Sequence, residues 1–145
     1  MKGLLLVPVL GLLIAASPIE GVSVKATPGT ATKGVIPVTV SFSIPSGYHI
    51  YGANPGSTGI ATSVKVKGSD FKISKVSYPK PKIITILGEK MEVYEKRADL
   101  MVQLKPTKKM TGKKVVKLSV TSQACNDRTC LPPETSEVSL TVNVK

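Results

Sequence analysis

Val35-Ile36-Pro37-Val38-Thr39-Val40-Ser41-Phe42-Ser43-Ile44 alternates apolar with hydroxyl-bearing residues from Val38 onward. Successive side chains of a strand point to opposite faces. A period of two therefore places Val38, Val40, Phe42 and Ile44 on one buried face, with Thr39, Ser41 and Ser43 on the other. Pro37 has no backbone donor, which puts the start of this strand near an edge or a bulge.

Outward from this stretch the pattern repeats. Strands are predicted over residues 22–26, 63–67, 71–78, 90–104, 114–124 and 136–144. Turn formers part them: Thr27-Pro28-Gly29, Pro45-Ser46-Gly47, Gly68-Ser69-Asp70, Tyr78-Pro79-Lys80-Pro81 and Thr111-Gly112. There is little sign of helix. About seven short strands with turns at regular intervals predict an all-β fold, an immunoglobulin-like antiparallel β-sandwich. The buried tryptophan and widely spaced cysteine pair of many such domains are absent, since the chain has no Trp and its two cysteines lie beside one turn. The lysine-rich stretch 108–117 around Gly112 reads as an exposed hairpin.

The amino terminus has a different composition. Lys2 precedes an apolar run over residues 3–16, interrupted by Pro8 and Gly11, that ends in the small residues Ala15 and Ala16 before Ser17. This is the layout of a secretory signal, and the run is too short for a membrane-spanning helix. Residues 1–20 are assigned as a signal peptide, with cleavage expected between 16 and 21. No cysteine lies near that point, which excludes a lipid-modified terminus. Residues 21–145 then form one domain, long enough to bury a core without extra staples. Export to the periplasm or beyond is expected, with no stable membrane span after processing.

The net charge of +11 raises nucleic acid or an anionic surface as a partner. The basic residues are nearly all lysines, and they alternate with apolar residues, as in Val64-Lys65-Val66-Lys67. Bidentate phosphate recognition favours arginine, of which only Arg97 and Arg128 are present. A solvated outer strand face accounts for the charge, and no nucleic-acid partner is expected.

Two segments concentrate unusual chemistry. Tyr48-His49-Ile50-Tyr51 followed by Asn54-Pro55-Gly56-Ser57-Thr58-Gly59 gathers two tyrosines and the only histidine beside a glycine-rich loop. Such a cluster lines a binding surface or caps the end of a core, and the residues alone leave both readings open. The other segment is Gln123-Ala124-Cys125-Asn126-Asp127-Arg128-Thr129-Cys130-Leu131-Pro132-Pro133-Glu134. Asn126 and Asp127 are turn formers. A strand leading up to Cys125 and returning after Cys130 sets the two cysteines opposite each other, within disulfide range. Pro132 and Pro133 stiffen the segment after Cys130 and bar it from a central strand, so one cysteine is expected near the surface. A loop of about six residues contributes only about 2 kcal/mol as a staple, which favours a bond that opens and closes. Arg128 favours a thiolate while Asp127 and Glu134 oppose it, so electrostatics does not select the attacked sulfur.

Metal chemistry is the other reading of these side chains. The cysteines, His49, Met91, Met101 and Met110 are soft ligands suited to Cu(I), but their spacing matches no compact metal loop. A four-ligand zinc site is not assembled convincingly. No nucleotide loop, Ser/His/Asp arrangement or carboxylate pair is present, and no cofactor or metal is expected.

Taken together, the cysteine motif, the 47–51 and 54–59 stretches and Val93-Tyr94-Glu95 make the chain resemble the amino-terminal periplasmic domain of the thiol:disulfide interchange protein DsbD family. The resemblance implies an immunoglobulin-like sandwich whose cysteine pair accepts electrons from a membrane-embedded partner and passes them to periplasmic oxidoreductases. It implies that Cys125 and Cys130 are the redox pair, with Cys130 forming mixed disulfides and Cys125 resolving them. It also implies a loop covering the cysteines, matched here to residues 83–90, which hold Ile86 and Leu87 but no aromatic. The cysteine spacing is one residue shorter than in the best-known member, a form that related domains share. With the chain ending at Lys145, the resemblance implies a separate membrane electron donor and thioredoxin-like periplasmic partners. The competing expectation is a noncatalytic binding or envelope-assembly module with a static disulfide.

Overall fold

The alternating stretch forms strand β2, Ile36–Ser43, in which Ile36, Val38, Val40 and Phe42 are buried. Its neighbours are β1, Ser23–Pro28, and β8, Arg97–Pro106, both antiparallel to it. β5, Phe71–Ser77, completes a four-stranded sheet in the order β1-β2-β8-β5. β2 is thus an internal strand, where Pro37 had put its start near an edge or a bulge. Pairing with β1 ends at Val38 opposite Pro28, and the Pro37 carbonyl accepts the Gly29 N–H at 2.7 Å. The missing donor of Pro37 falls where β1 has already stopped, so no ladder bond is lost.

Two more sheets complete the fold. One has the order β11-β9-β4, built from Glu134–Val144, Gly112–Ser122 and Ser63–Val66. The other has the order β10-β3-β7-β6, from Ala124–Cys125, His49–Tyr51, Glu89–Glu95 and Lys82–Ile86. Every named strand pair is antiparallel. The structure is a computed structural model that describes residues 21–145, and it is all-β over those residues. The signal segment expected over residues 1–20 lies outside the described residues.

One hydrophobic cluster joins the three sheets. Phe42, Leu100 and Leu104 enter it from the first, Leu118, Val120 and Val142 from the second, and Ile50, Tyr94 and Ala124 from the third. Alternation is as regular along β8 as along β2, and along β9 from Val116 onward, because each presents one face to this core. The immunoglobulin-like sandwich expected from the strand pattern is the observed architecture.

Three local expectations change. The strand predicted over 90–104 is two strands, β7 and β8, separated at Lys96, whose φ is +64°. The Lys96 carbonyl accepts the Ile44 N–H at 2.8 Å, fixing the corner at which the chain leaves one sheet for another. The lysine-rich stretch is no hairpin: residues 108–111 cross between sheets and 112–117 begin β9, which belongs to a different sheet from β8. Residues 83–90 are a regular β6–β7 hairpin in place of a loop. Its turn residues Leu87 and Gly88 have φ of +52° and +80°, the conformation that matches the twist of a tight hairpin.

Candidate functional site

The third sheet is covered on both faces, and that places the cysteines. Ala124, Ile50 and Tyr94 lie side by side on the face turned to the main core. The residues beside them in sequence carry the opposite face, where Cys125 packs with Tyr51, Val93, Met91 and half-buried Ile84 in a small second cluster. A strand of alternating direction delivers Cys125 to this outer cluster because Ala124 is delivered to the core.

The cysteine loop is a tight hairpin. The Asn126 N–H donates to the Thr129 carbonyl at 2.9 Å, and the Leu131 N–H to the Ala124 carbonyl at 2.8 Å. Asn126 Oδ1 accepts the backbone N–H groups of Arg128 and Thr129 at 2.9 and 2.8 Å, the turn-closing use expected of Asn. Cys125 and Cys130 form an antiparallel bridge with Cα atoms 4.0 Å apart and are joined by a disulfide. The two sulfurs have different surroundings. Cys125 is 1% exposed. Cys130 is exposed, as are Asp127, Arg128, Thr129, Pro132 and Pro133 around it.

Beyond Cys125 the pairing continues to His49 on β3 and Glu95 on β7. Directly opposed residues share a face, so Cys130, Cys125, His49 and Glu95 form one row across the sheet. His49 is 8% exposed, and its Nε2 is buried without a hydrogen-bond partner. Its ring meets that of Tyr51 edge-on, with centroids 5.4 Å apart. Burial lowers the His49 pKa from its ordinary 6.5, Glu95 and Asp127 act to raise it, and Lys82 adds to the lowering. Lys82 Nζ also lies 3.1 Å from Glu95 Oε1. A cleft of about 580 Å³ opens beside this row, lined by Tyr48, His49, Glu95 and Asp127 among others.

The glycine-rich segment closes over the second cluster. Gly52 N–H donates to the Glu92 carbonyl at 2.8 Å, and the Glu92 N–H returns to the Asn54 carbonyl at 2.9 Å. The Glu89 carboxylate receives the N–H and hydroxyl of Ser57 at 2.6 and 2.8 Å. Gly59 permits the closest approach: a Cβ there would stand 2.5 Å from the Pro55 carbonyl oxygen and 3.0 Å from Tyr51 Cζ. The residues of this region divide between the two faces of the sheet. Ile50 belongs to the main core, whereas His49 and Tyr51 lie on the cysteine face.

Residues 83–90 supply only part of the expected covering. Ile84 reaches the cysteine cluster, but Leu87 at the hairpin tip is fully exposed. Cys125 is instead buried by Tyr51, Val93 and Met91. The soft ligands considered for copper are split: His49 stands opposite Cys125, and the methionines scatter. Met91 joins the Cys125 cluster, Met110 packs on the main core, and Met101 is exposed with its sulfur 3.4 Å from Thr39 Oγ1. Sequence reasoning missed His49 and Tyr51 as neighbours of Cys125. Their spacing of two was the available signal, because it puts both on one face of a strand.

Known proteins share this fold. The family described as "Thiol:disulfide interchange protein DsbD, N-terminal" matches residues 21–142. The N-terminal periplasmic domain of ScsB from Proteus mirabilis superposes with a TM-score of 0.63 at 19% identity, covering 86% of this chain and 47% of that one. The chain thus spans about half the length of that structure. The DsbD N-terminal domain of Neisseria meningitidis, in its reduced form, superposes with a TM-score of 0.56 at 23% identity, covering 83% and 85% of the two chains. No curated protein sequence matches. By the match over nearly its whole described length, the chain belongs to the family of DsbD N-terminal domains.

Proposed function

We propose that the protein is an exported thiol:disulfide interchange domain that relays electrons through Cys125 and Cys130 to or from periplasmic thioredoxin-like oxidoreductases. The observation that carries this reading is the asymmetry of the pair. An exposed residue, Cys130, is bonded to one that is 1% exposed, Cys125, within a hairpin of four intervening residues. Membership of the family supports interchange chemistry in general.

The exchange balances as two displacements. A partner thiolate attacks the Cys130 sulfur, a partner–Cys130 disulfide forms, the Cys125–Cys130 bond breaks, and Cys125 leaves as the thiolate or, once protonated, the thiol. A second partner thiol then displaces Cys130, so the pair gains two electrons and the partner dithiol becomes a disulfide. In the other direction Cys125 attacks the mixed disulfide and releases the partner. Cys130 is the interchange residue and Cys125 the resolving one. Residues 1–20 act as the signal peptide, and a membrane-embedded protein domain supplies the electrons.

Cys125→Ser keeps the exposed thiol and removes the resolving one, so it should accumulate mixed disulfides with thioredoxin-like partners; Cys130→Ser should abolish them. A reduction potential below about −300 mV would place the bond among static structural disulfides and overturn the reading in favour of a noncatalytic binding module.

A further inference from the structure

We propose that His49 takes the proton from the Cys125 thiol when Cys125 resolves the mixed disulfide carried by Cys130. This rests on the exchange function proposed above and adds to it a proton acceptor.

The juxtaposition is set by the sheet. His49 is the residue directly opposite Cys125 in the β10–β3 pairing, as Cys130 is its opposite on the other side. Opposed residues share a face and bring their Cβ atoms within about 4.5–5.5 Å, close enough for an imidazole to reach a thiol. His49 is 8% exposed, and its Nε2 is buried without a hydrogen-bond partner in the disulfide form. A polar atom left in this condition is costly unless another state of the protein supplies its partner. Reduction does so, because it converts a disulfide sulfur that has no proton into an S–H donor at the residue opposite.

The charged surroundings suit the role. Glu95 on β7, Asp127 in the cysteine loop and Lys82 on β6 act on the ring, and Tyr51 meets it edge-on from its own strand. Burial outweighs the two carboxylates and holds the ring below its ordinary pKa, hence neutral and able to accept a proton at neutral pH. Glu95 and Asp127 then stabilise the imidazolium once it forms.

Cys125 needs such help. A thiol among Tyr51, Val93 and Met91 is disfavoured as a thiolate, and only the thiolate attacks. In the proposed step the Cys125 S–H bond breaks and its proton passes to the imidazole. The thiolate sulfur attacks Cys130, the Cys125–Cys130 bond forms, and the Cys130–partner bond breaks. The partner leaves as a thiolate, which completes its two-electron reduction over the two displacements, and the proton returns to solvent.

The test uses the reduced protein and a chromogenic aromatic disulfide, 5,5′-dithiobis(2-nitrobenzoate). Cys130 releases one aromatic thiolate to form the mixed disulfide, and Cys125 releases the second by resolving it. In His49→Phe the second release should slow by about a hundredfold at neutral pH, the lower range of general acid–base catalysis, with the first release unchanged. The wild-type second release should fall as pH drops through the His49 transition, and this dependence should vanish in the variant. The same rate and pH profile in wild type, His49→Phe and His49→Gln would overturn the proposal. Wild-type protein alone provides a check independent of variant folding. The single histidine ring should titrate at different pH in the oxidised and reduced forms, and coincident NMR titrations would equally overturn it. Failure of the exchange function itself shows in wild type as absence of the first release.

Discussion

Cys125 and Cys130 are bonded with Cα atoms 4.0 Å apart, yet one is buried and the other exposed. The asymmetry follows from the strands on either side. β10 holds Cys125 against β3, while Pro132 and Pro133 lead the chain after Cys130 along the outer edge. A bond with one accessible end admits attack at one sulfur and keeps the other as leaving group.

In the reduced single-cysteine variants this asymmetry becomes a rate. Cys130 in Cys125→Ser should be alkylated by iodoacetamide on the order of tenfold or more faster than Cys125 in Cys130→Ser, measured by mass spectrometry over a time course. Equal rates would show that burial does not protect Cys125.

Opening the disulfide should leave the fold standing. The closed loop is about six residues, so its loss should lower unfolding free energy by about 2 kcal/mol, read from urea curves with and without reductant. The core of Phe42, Leu100, Leu104 and Leu118 does not depend on it. Collapse of the native circular dichroism on reduction would mark the bond as structural.

Acid should weaken the domain through His49. Its folded pKa lies below the unfolded value of 6.5, so the unfolded chain binds more protons between the two. Stability is therefore complete above pH 6.5 and falls as pH drops through that window. Thermal midpoints of the oxidised protein should decline there, and His49→Phe should flatten the decline.

Gly59→Ala should disturb the cover over the cysteine cluster. The added Cβ would stand 2.5 Å from the Pro55 carbonyl and 3.0 Å from Tyr51, and the backbone must move to relieve it. A loss of about 1–3 kcal/mol is expected, in the range of overpacking. Alkylation of Cys125 in Cys130→Ser should accelerate in the combined variant, as the loop over Tyr51 and Met91 loosens.

The alternation of residues 36–44 was readable directly, because a half-buried strand writes its period into the chain. The cysteine hairpin was readable for a related reason: Asn126, the short spacing and the two prolines act through local backbone geometry. Other features had no local mark. Lys96 takes a positive φ that its residue type does not announce, so β7 and β8 looked like one strand. The short β3 was hidden beside turn residues, and the β6–β7 hairpin lay where the resemblance implied a loop.

Sequence by itself determined the sandwich class and the closeness of Cys125 to Cys130, since both depend on neighbours along the chain. Tertiary structure alone decided that Cys125 is buried on Tyr51, Val93 and Met91, that Leu87 stays outside, and that His49 stands opposite the sulfur. Those relationships depend on register between strands distant in sequence. A shift of one residue would turn every side chain to the other face, and only packing of the whole sheet selects the register that is kept.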